Sequence, residues 1–223
     1  MEKLFLEARY NGKIELNDSI VSMLPESVTL SASVQFLDSV EAVKSQLISA
    51  GKKVVLVKGA HSKYPGQILG CDIMNEKINI STDCILFIGT GRFHPIAFAY
   101  RYDVKVFLFN PFENKITEIS DGEIMGFRKN REVSLTKFHS ADTIGIIKTI
   151  KPGQSVNQEH ISNLKSQYPE KSFYEFLSDD IDFIQLNNFN FINCWVNTAC
   201  PRIAVDDHDK LDKPIINITD LAM

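Results

Sequence analysis

An α/β fold built from two small parallel-sheet domains is what this chain predicts, on three observations. Short runs rich in Val, Ile, Leu and Phe alternate with stretches of helical periodicity, the pattern of βαβ units feeding parallel sheets. The strand, turn, helix, strand plan occurs twice with different residues. Composition agrees: 223 residues, 44% hydrophobic and 23% charged, make a globular chain long enough for one large or two small cores.

In the first unit, residues 27–36 (SVTLSASVQF) are rich in β-branched side chains and read as a strand. Asp38 with Glu41 forms a capping-box-like start to a helix that carries Val40, Val43 and Leu47 on one face and stops at Gly51. Residues 53–57 (KVVLV) read as a buried strand. Two more follow, over 81–88 and 104–109, the former feeding Gly89-Thr90-Gly91. The apolar start Leu4 to Leu6 reads as an added strand that the sequence assigns to neither domain.

Residues 121–139 place Ile124, Phe127, Leu135 and Phe138 at helical spacing, which puts the domain boundary near residue 120 and gives domains over 1–119 and 120–223. The second unit then offers a strand over 143–150 and the turn Lys151-Pro152-Gly153-Gln154. A helix follows over about 157–167 with Ile161 and Leu164 inward, then strands over 172–177 and 191–196. Two quasi-repeated domains are expected to take ligand in the cleft between them.

A formal net charge of −4 gives no global attraction to nucleic acid, and no Lys/Arg cluster is present, so neither nucleic acid nor a membrane is an expected partner. No signal-peptide pattern and no apolar run of the roughly 20 residues a bilayer requires is found. The expected location is the cytoplasm, where the four cysteines, 71, 84, 194 and 200, read as thiols, ligands or core residues rather than disulfides.

Cys84 lies inside TDCILFI and Cys194 inside FINCWV, and both read as core. Cys71 (PGQILGCD) and Cys200 (NTACPR) each read as ending a strand in a polar turn, where a thiolate faces the crevice that open α/β sheets use for ligands. They are the candidate metal ligands. Gly89-Thr90-Gly91 resembles an anion nest or is simply a turn. Arg92 meets a carboxylate or is solvated. His94 is a general base or a loop-ordering residue, and Gln154 is a ligand contact or a solvated turn residue. Asp206 and Asp207 form a carboxylate pair or cap the next helix. Lys151 reads as an exposed charge, and His61, His139, His160 and His208 as surface or loop histidines.

GQILGCD at 66–72, IGTGRFHP at 88–95, IKPGQ at 150–154 and NTACPRIAVDD at 197–207 occur in the order and approximate spacing of the diphthamide synthase family. The chain resembles the second and third of that family's three related domains, with no counterpart of the first. The resemblance implies a [4Fe-4S] cluster on three cysteines, one per domain, with S-adenosylmethionine on the fourth iron. It also implies a 3-amino-3-carboxypropyl radical transferred to a histidine of elongation factor 2. Cys71 and Cys200 match the cysteines of the second and third domains. Gly89, Thr90, Gly91, Arg92, Phe93, Gln154, Asp206 and Asp207 then line the S-adenosylmethionine pocket, and His94 acts in catalysis. Arg92 departs from the apolar or small residue usual there. The expected partners are elongation factor 2 or another protein acceptor, and a second subunit, in a homodimer or a heterodimer with a full-length paralogue. The alternatives are a non-catalytic partner subunit, or a related transferase with a different acceptor.

Overall fold

A computed structural model describes residues 6–75, 78–151, 154 and 158–221. The chain divides into two compact units, Met1–Ile124 and Met125–Met223. The first opens with a short helix, α1 (Asp18–Met23), capped by the Asn17 side chain, which accepts the Ile20 N–H at 2.9 Å. Of the stretch read as an added strand, Leu4 and Phe5 fall outside the described residues, and Leu6 is exposed and outside any strand. Ile14, Leu16, Ile20, Val21 and Leu24 are buried in the first unit's core, which settles where this segment packs.

Five strands form its sheet: β1 (Ser27–Ala32), β2 (Lys53–Leu56), β3 (Cys84–Ile88), β4 (Lys105–Asn110) and β5 (Lys115–Glu118), in the order β2-β1-β3-β4-β5. The first four are parallel, and β5 returns antiparallel along β4. Helix α2 (Val40–Ser49) covers one face, where Val40, Val43 and Leu47 meet Val28, Leu30, Leu86 and Ile88. Gly51 ends it at φ +82°, a conformation that favours glycine. The short helix α3 (Gly70–Asn75) and helix α4 (Phe93–Arg101) follow on the chain.

Several expectations are corrected. The first strand stops at Ala32, and residues 34–39 form a 3-10 turn that buries Phe36. Asp38 pairs with Arg9 at 2.7 Å instead of capping, and Ser39 occupies the N-cap without a side-chain bond. Strand β2 is half exposed, because it is the sheet's edge. Helix α4 was not legible because Pro95 sits in its third position; the first turn tolerates proline, since its N–H lacks an intrahelical partner there.

Helix α5 (Asp121–Ser140) begins in the first unit and continues into the second. The second sheet contains β6 (Thr143–Thr149), β7 (Ser172–Ser178), β8 (Cys194–Asn197) and β9 (Ile215–Asn217), all parallel, in the order β7-β6-β8-β9. Helices α6 (Gln158–Gln167), α7 (Phe183–Asn187) and α8 (Arg202–Asp206) connect them. Phe138 of α5, with Ile161 and Leu164 of α6, packs on Ile144, Ile146, Cys194 and Val196. On the other face Trp195 lies over Gly145, where a Cβ would come within 2.3 Å of its ring. Strand β8 begins at Cys194, three residues later than expected, and β9, α7 and α8 were not anticipated. Pro152, Gly153 and Asn157, which the expected turn and helix included, lie outside the described residues.

Both sheets share one topology: β2-β1-β3-β4 in the first matches β7-β6-β8-β9 in the second. In each, the chain crosses to one side of the first strand and then to the other, creating a switch point beside which carboxyl-end loops diverge. In the first unit that point lies between β1 and β3, followed by Ser33 and Gly89. In the second it lies between β6 and β8, followed by Ile150 and Thr198. Among the described residues no helix is long and apolar enough to cross a membrane.

The start of α5 carries a testable charge. Glu123 Oε2 accepts the Ser120 N–H at 2.9 Å, and Arg92 pairs with its other oxygen. The Ser120 amide first, then Arg92, holds the Glu123 carboxyl below the usual carboxylate range. A carboxyl lowered in the folded state stabilises above its unfolded pKa, and that contribution is lost as pH falls through its folded value. Glu123→Gln is expected to cost about 0.5 kcal/mol at neutral pH. Urea unfolding should show the gap to wild type closing as pH falls below the ordinary glutamate range and through the lowered folded-state value; a gap that persists in acid would rule out the charge as its origin.

Candidate metal site and ligand-binding loops

The Cys71 segment is built by residues that each do a structural job. Gly66 takes φ +80° with its Cβ position against Val40, and its N–H donates to the Val57 carbonyl at 2.7 Å. Gln67 runs parallel to Ala32 at the carboxyl end of β1 and is buried. Its Oε1 accepts the N–H groups of Lys63 and Tyr64 at 2.9 and 3.1 Å. Ile68 is fully buried. Gly70 lies under the Phe93 ring, 2.3 Å from where a Cβ would stand.

Asp72 closes the loop. Its carboxylate is 0% exposed and takes four donors: the His61 N–H at 2.9 Å and His61 Nδ1 at 3.0 Å on Oδ1, the Ser62 hydroxyl at 2.5 Å and the Leu69 N–H at 3.2 Å on Oδ2. Burying a carboxylate is unfavourable by several kcal/mol unless donors replace its water, and here every lone-pair direction has one. Gly59 makes room for it, since a Cβ there would stand 2.0 Å from Asp72 Cγ.

Cys71 therefore does not end a strand. It follows a single-residue bridge and occupies the first turn of α3, past the carboxyl end of β1, where it is partly exposed. Its Sγ, a ring nitrogen of His61 and a carboxylate oxygen of Asp72 lie within 4.8 Å of one another. His61, read from sequence as a loop histidine, thus belongs to the Cys71 site. Cys84 and Cys194 differ. Both are fully buried, and burial pushes each thiol up to about 12, so both stay protonated at neutral pH.

The 88–95 segment packs on the same loop. The Phe93 ring seats on Gly70. His94, in the first turn of α4, stacks on Phe87 with ring centroids 5.1 Å apart and 15° between planes. The Gly89 N–H is engaged by the Phe109 carbonyl at 3.0 Å, and the Phe87 ring fills its Cβ position, so this glycine serves packing rather than an anion nest. Thr90 is exposed, and Gly91 has open space where a Cβ would stand. Arg92 finds its carboxylate within the unit, in Glu123, rather than in solvent.

In the second unit Cys200 stands where expected, beyond the end of β8 and partly exposed. The residues around it fix the turn. Asn197 Nδ2 donates to the Cys200 carbonyl at 2.9 Å and to Asn217 Oδ1 at 2.7 Å, while Asn217 Nδ2 donates to the Pro201 carbonyl at 3.2 Å. The Thr198 hydroxyl donates to the Ile147 carbonyl at 2.8 Å. Gln154 is partly exposed in a turn where its N–H donates to the Lys151 carbonyl at 3.2 Å; Lys151 pairs with Asp180.

Asp206 and Asp207 each pair with a local cation, Arg202 at 2.5 Å and Lys210 at 2.6 Å. Asp206 is the last residue of α8, and Asp207 precedes a 3-10 turn without capping it by its side chain. His208 joins Asn130 Nδ2 at 2.8 Å to the Val205 carbonyl at 3.1 Å. The acceptor carbonyl puts the proton on Nδ1 and leaves Nε2 to accept from Asn130.

The fold and these loops define an α/β protein with two parallel sheets of matching strand order, each carrying one partly exposed thiol beyond its strands. Residues 4–223 match the model of the diphthamide synthesis proteins, and the chain belongs to that family. The 2-(3-amino-3-carboxypropyl)histidine synthase of Methanocaldococcus jannaschii is 34% identical over 178 residues, which cover 75% of this chain and 50% of the relative. That of Pyrococcus horikoshii is 27% identical over 199 residues, covering 88% and 56%. The chain spans about half the length of these curated relatives. A crystal structure of Dph2 from P. horikoshii with a 4Fe-4S cluster superposes with a TM-score of 0.77 at 24% identity, over 91% of this chain and 58% of that one, and shows the same fold.

Two outcomes follow from this geometry. Asp72→Ala leaves buried donors unpaired and is expected to lower stability by about 3 kcal/mol, against less than about 1 kcal/mol for Asp38→Ala on the surface. Urea unfolding of the two variants checks it, and equal losses would refute the central role of Asp72. A thiol reagent at mildly alkaline pH is expected to label Cys71 and Cys200 in the folded protein and Cys84 and Cys194 only after unfolding. Peptide mapping of the labelled chain reads the difference.

Proposed function

We propose that this chain acts in diphthamide biosynthesis, as part of a 3-amino-3-carboxypropyl transferase whose acceptor is a histidine of elongation factor 2. The single observation that carries the reading is the sorting of the thiols. Cys84 and Cys194 are sealed in the core and protonated, while Cys71 and Cys200 stand partly exposed in loops beyond the strands, inside the motifs that mark the family.

Those two thiols fit an iron-sulfur group in kind: each sits in a turn braced by buried polar side chains, Asp72 and Gln67 for one, Asn197 and Asn217 for the other. Cys71 in the first unit and Cys200 in the second would each be a candidate ligand of such a group. When bound, such a group supplies the electron that cleaves the sulfonium of S-adenosylmethionine. Around Cys71, the open backbone at Gly91 and the exposed Thr90 receive the cofactor's polar end, with Phe93 as an apolar wall fixed on Gly70. Gln154 offers a donor and an acceptor near the carboxyl end of β6. His94, held flat against Phe87, takes the proton that the acceptor histidine gives up. Asp206 and Asp207, which follow the Cys200 turn, are each paired with a local cation.

A second reading is favoured by stoichiometry. Iron-sulfur groups are ordinarily held by three or four protein ligands, and this sequence has only two cysteines outside the core. A further ligand then comes from outside these 223 residues, and this reading names a second copy or a longer paralogue, in the cytoplasm where elongation factor 2 works, as its source.

Anaerobic reconstitution with iron and sulfide, followed by low-temperature EPR of the reduced protein, tests both. A reducible signal lost in Cys71→Ala and in Cys200→Ala is expected, together with transfer of the 3-amino-3-carboxypropyl group to elongation factor 2, read by mass spectrometry. A signal unchanged in both variants would refute the assignment. A signal that forms only when a longer paralogue is present selects the subunit reading.

A further inference from the structure

We propose that the outer edge of β7 pairs antiparallel with β7 of a second copy of this chain, about a two-fold axis through Glu175. The proposal goes beyond the functional reading and needs no metal. Strand β7 ends the second sheet, so among the described residues no strand pairs with its outer side. An open strand edge is a template for another chain, and proteins usually blunt it with brevity, lysine or proline. The first sheet does so: its edges are the four-residue strands β2 and β5, which begin with Lys53 and Lys115. At the far edge of the second sheet β9 has three residues, all buried. Strand β7 runs for seven residues with neither lysine nor proline.

The backbone dictates the register. The Ser172 N–H donates to the Asp142 carbonyl at 2.8 Å, in the parallel ladder that sets Ser172 beside Thr143. In such a ladder each residue directs both backbone groups to one side, and the next residue directs them to the other. Ser172, Tyr174, Phe176 and Ser178 therefore bond to β6, while Phe173, Glu175 and Leu177 turn their N–H and C=O groups outward. A two-fold axis at Glu175 matches outward residue to outward residue along the whole strand, Glu175 to its own copy and Phe173 to Leu177. The sequence SFYEFLS agrees with itself in this register: Ser172 faces Ser178, Phe173 faces Leu177 and Tyr174 faces Phe176.

Both faces of the strand suit that partner. On one, Tyr174 meets Phe191 edge-on with ring centroids 5.0 Å apart, and Phe176 meets Phe189 at 4.5 Å. Tyr174, Phe189 and Phe191 are exposed, and pairing sets this aromatic strip against its own copy. Tyr174 and Phe176 form the non-hydrogen-bonded pair, in which side chains approach closest. On the other face Leu177, 65% exposed, comes to lie beside Phe173. Glu175 meets its copy there, which is unfavourable for bare carboxylates. These are not bare: Lys148 Nζ and Lys165 Nζ stand 2.7 and 2.5 Å from the Glu175 oxygens, so each copy brings two cations for one anion to the axis. With β9 buried, the second sheet has one open edge, and the pairing closes at two copies.

Sedimentation velocity in reductant and chelator, at concentrations up to about 100 μM, is the test. Wild type is expected to be a dimer. Leu177→Pro removes an outward N–H and leaves the bonds to β6 in place, a change that edge strands tolerate. Tyr174→Lys keeps every backbone group and adds the blunting charge that the strand lacks. Each is expected to raise the dissociation constant at least about tenfold, with an unchanged near-ultraviolet circular dichroism signal showing the fold intact. Met23→Lys, at an exposed apolar side chain of α1, is expected to leave it unchanged. A monomeric wild type, a dimer that either β7 variant leaves intact, a dimer weakened as much by Met23→Lys, or assembly beyond two copies would overturn the proposal. None of these readouts depends on Cys71 or Cys200, so its failure and that of the functional reading are separate results.

Discussion

The buried carboxylate of Asp72 decides the shape of the first unit's loop region. A fully desolvated carboxylate is tolerable only if donors surround it before the loop can do anything else. Its donors come from His61, Ser62 and Leu69, so the requirement draws the far side of a long connection onto the first turn of α3. Gly59 has to be small for the same reason, and the backbone around Gly66 has to turn through a left-handed conformation to let Gln67 align with β1. Once this is in place Gly70 faces the Phe93 ring, and the Cys71 segment and the start of α4 form one surface. One anion thus links two motifs that are separated in sequence.

The shared strand order explains why both partly exposed thiols lie beyond strand ends, yet it does not make them equivalent. Cys84 and Cys194 are the matching pair. Each is the first residue of the third strand of its unit, opposite Val28 in one sheet and Ile144 in the other, and each is sealed in the core. Cys71 precedes that strand and Cys200 follows it. The repeat has kept its core cysteines in register and placed its exposed ones on different connections, supported by different chemistry: a buried carboxylate on one side, a pair of buried asparagines on the other. The residues that build the sheets obey the repeat, and the residues that hold the loops do not.

This division sets what could be read from the chain. The runs KVVLV, TDCILFI and TIGIIKTI declared strands because buried parallel strands are continuously apolar, and α2 and α5 declared themselves by periodicity. Edge exposure of β2 was not legible, since a half-buried Val-rich strand looks like a buried one until its neighbours are known. Helix α4 was hidden by Pro95, and β9 by its brevity. Within the sites, the two thiols were separable from their core counterparts because Gly, Asp, Pro and Arg flank them. His61 was not, because its partner Asp72 lies beyond a turn, a proline and a bridge, and only the fold brings the two together. The signal present in the sequence was the acid directly after Cys71, which needed buried donors from somewhere and implied a polar segment folded back upon it. Arg92 was legible as a cation seeking an anion, and the anion proved to be the residue capping α5.

Ordering a backbone residue is unfavourable by about 1–2 kcal/mol, and the connection from β2 to α3 has little regular structure to offset that cost. Asp72, Gln67 and the bridge to Ala32 supply the offset during folding. A loop already fixed before a ligand arrives spends none of the binding free energy on its own ordering. It also holds a partly exposed thiol at a set height above the sheet, where an exposed cysteine on a mobile loop would sample many positions and react indiscriminately. The buried acid beside Cys71 is therefore better understood as the support of the thiol than as its rival for an ion. The same logic covers Asn197 and Asn217 beneath Cys200: four side-chain amide contacts spent on a turn, in order to present one sulfur.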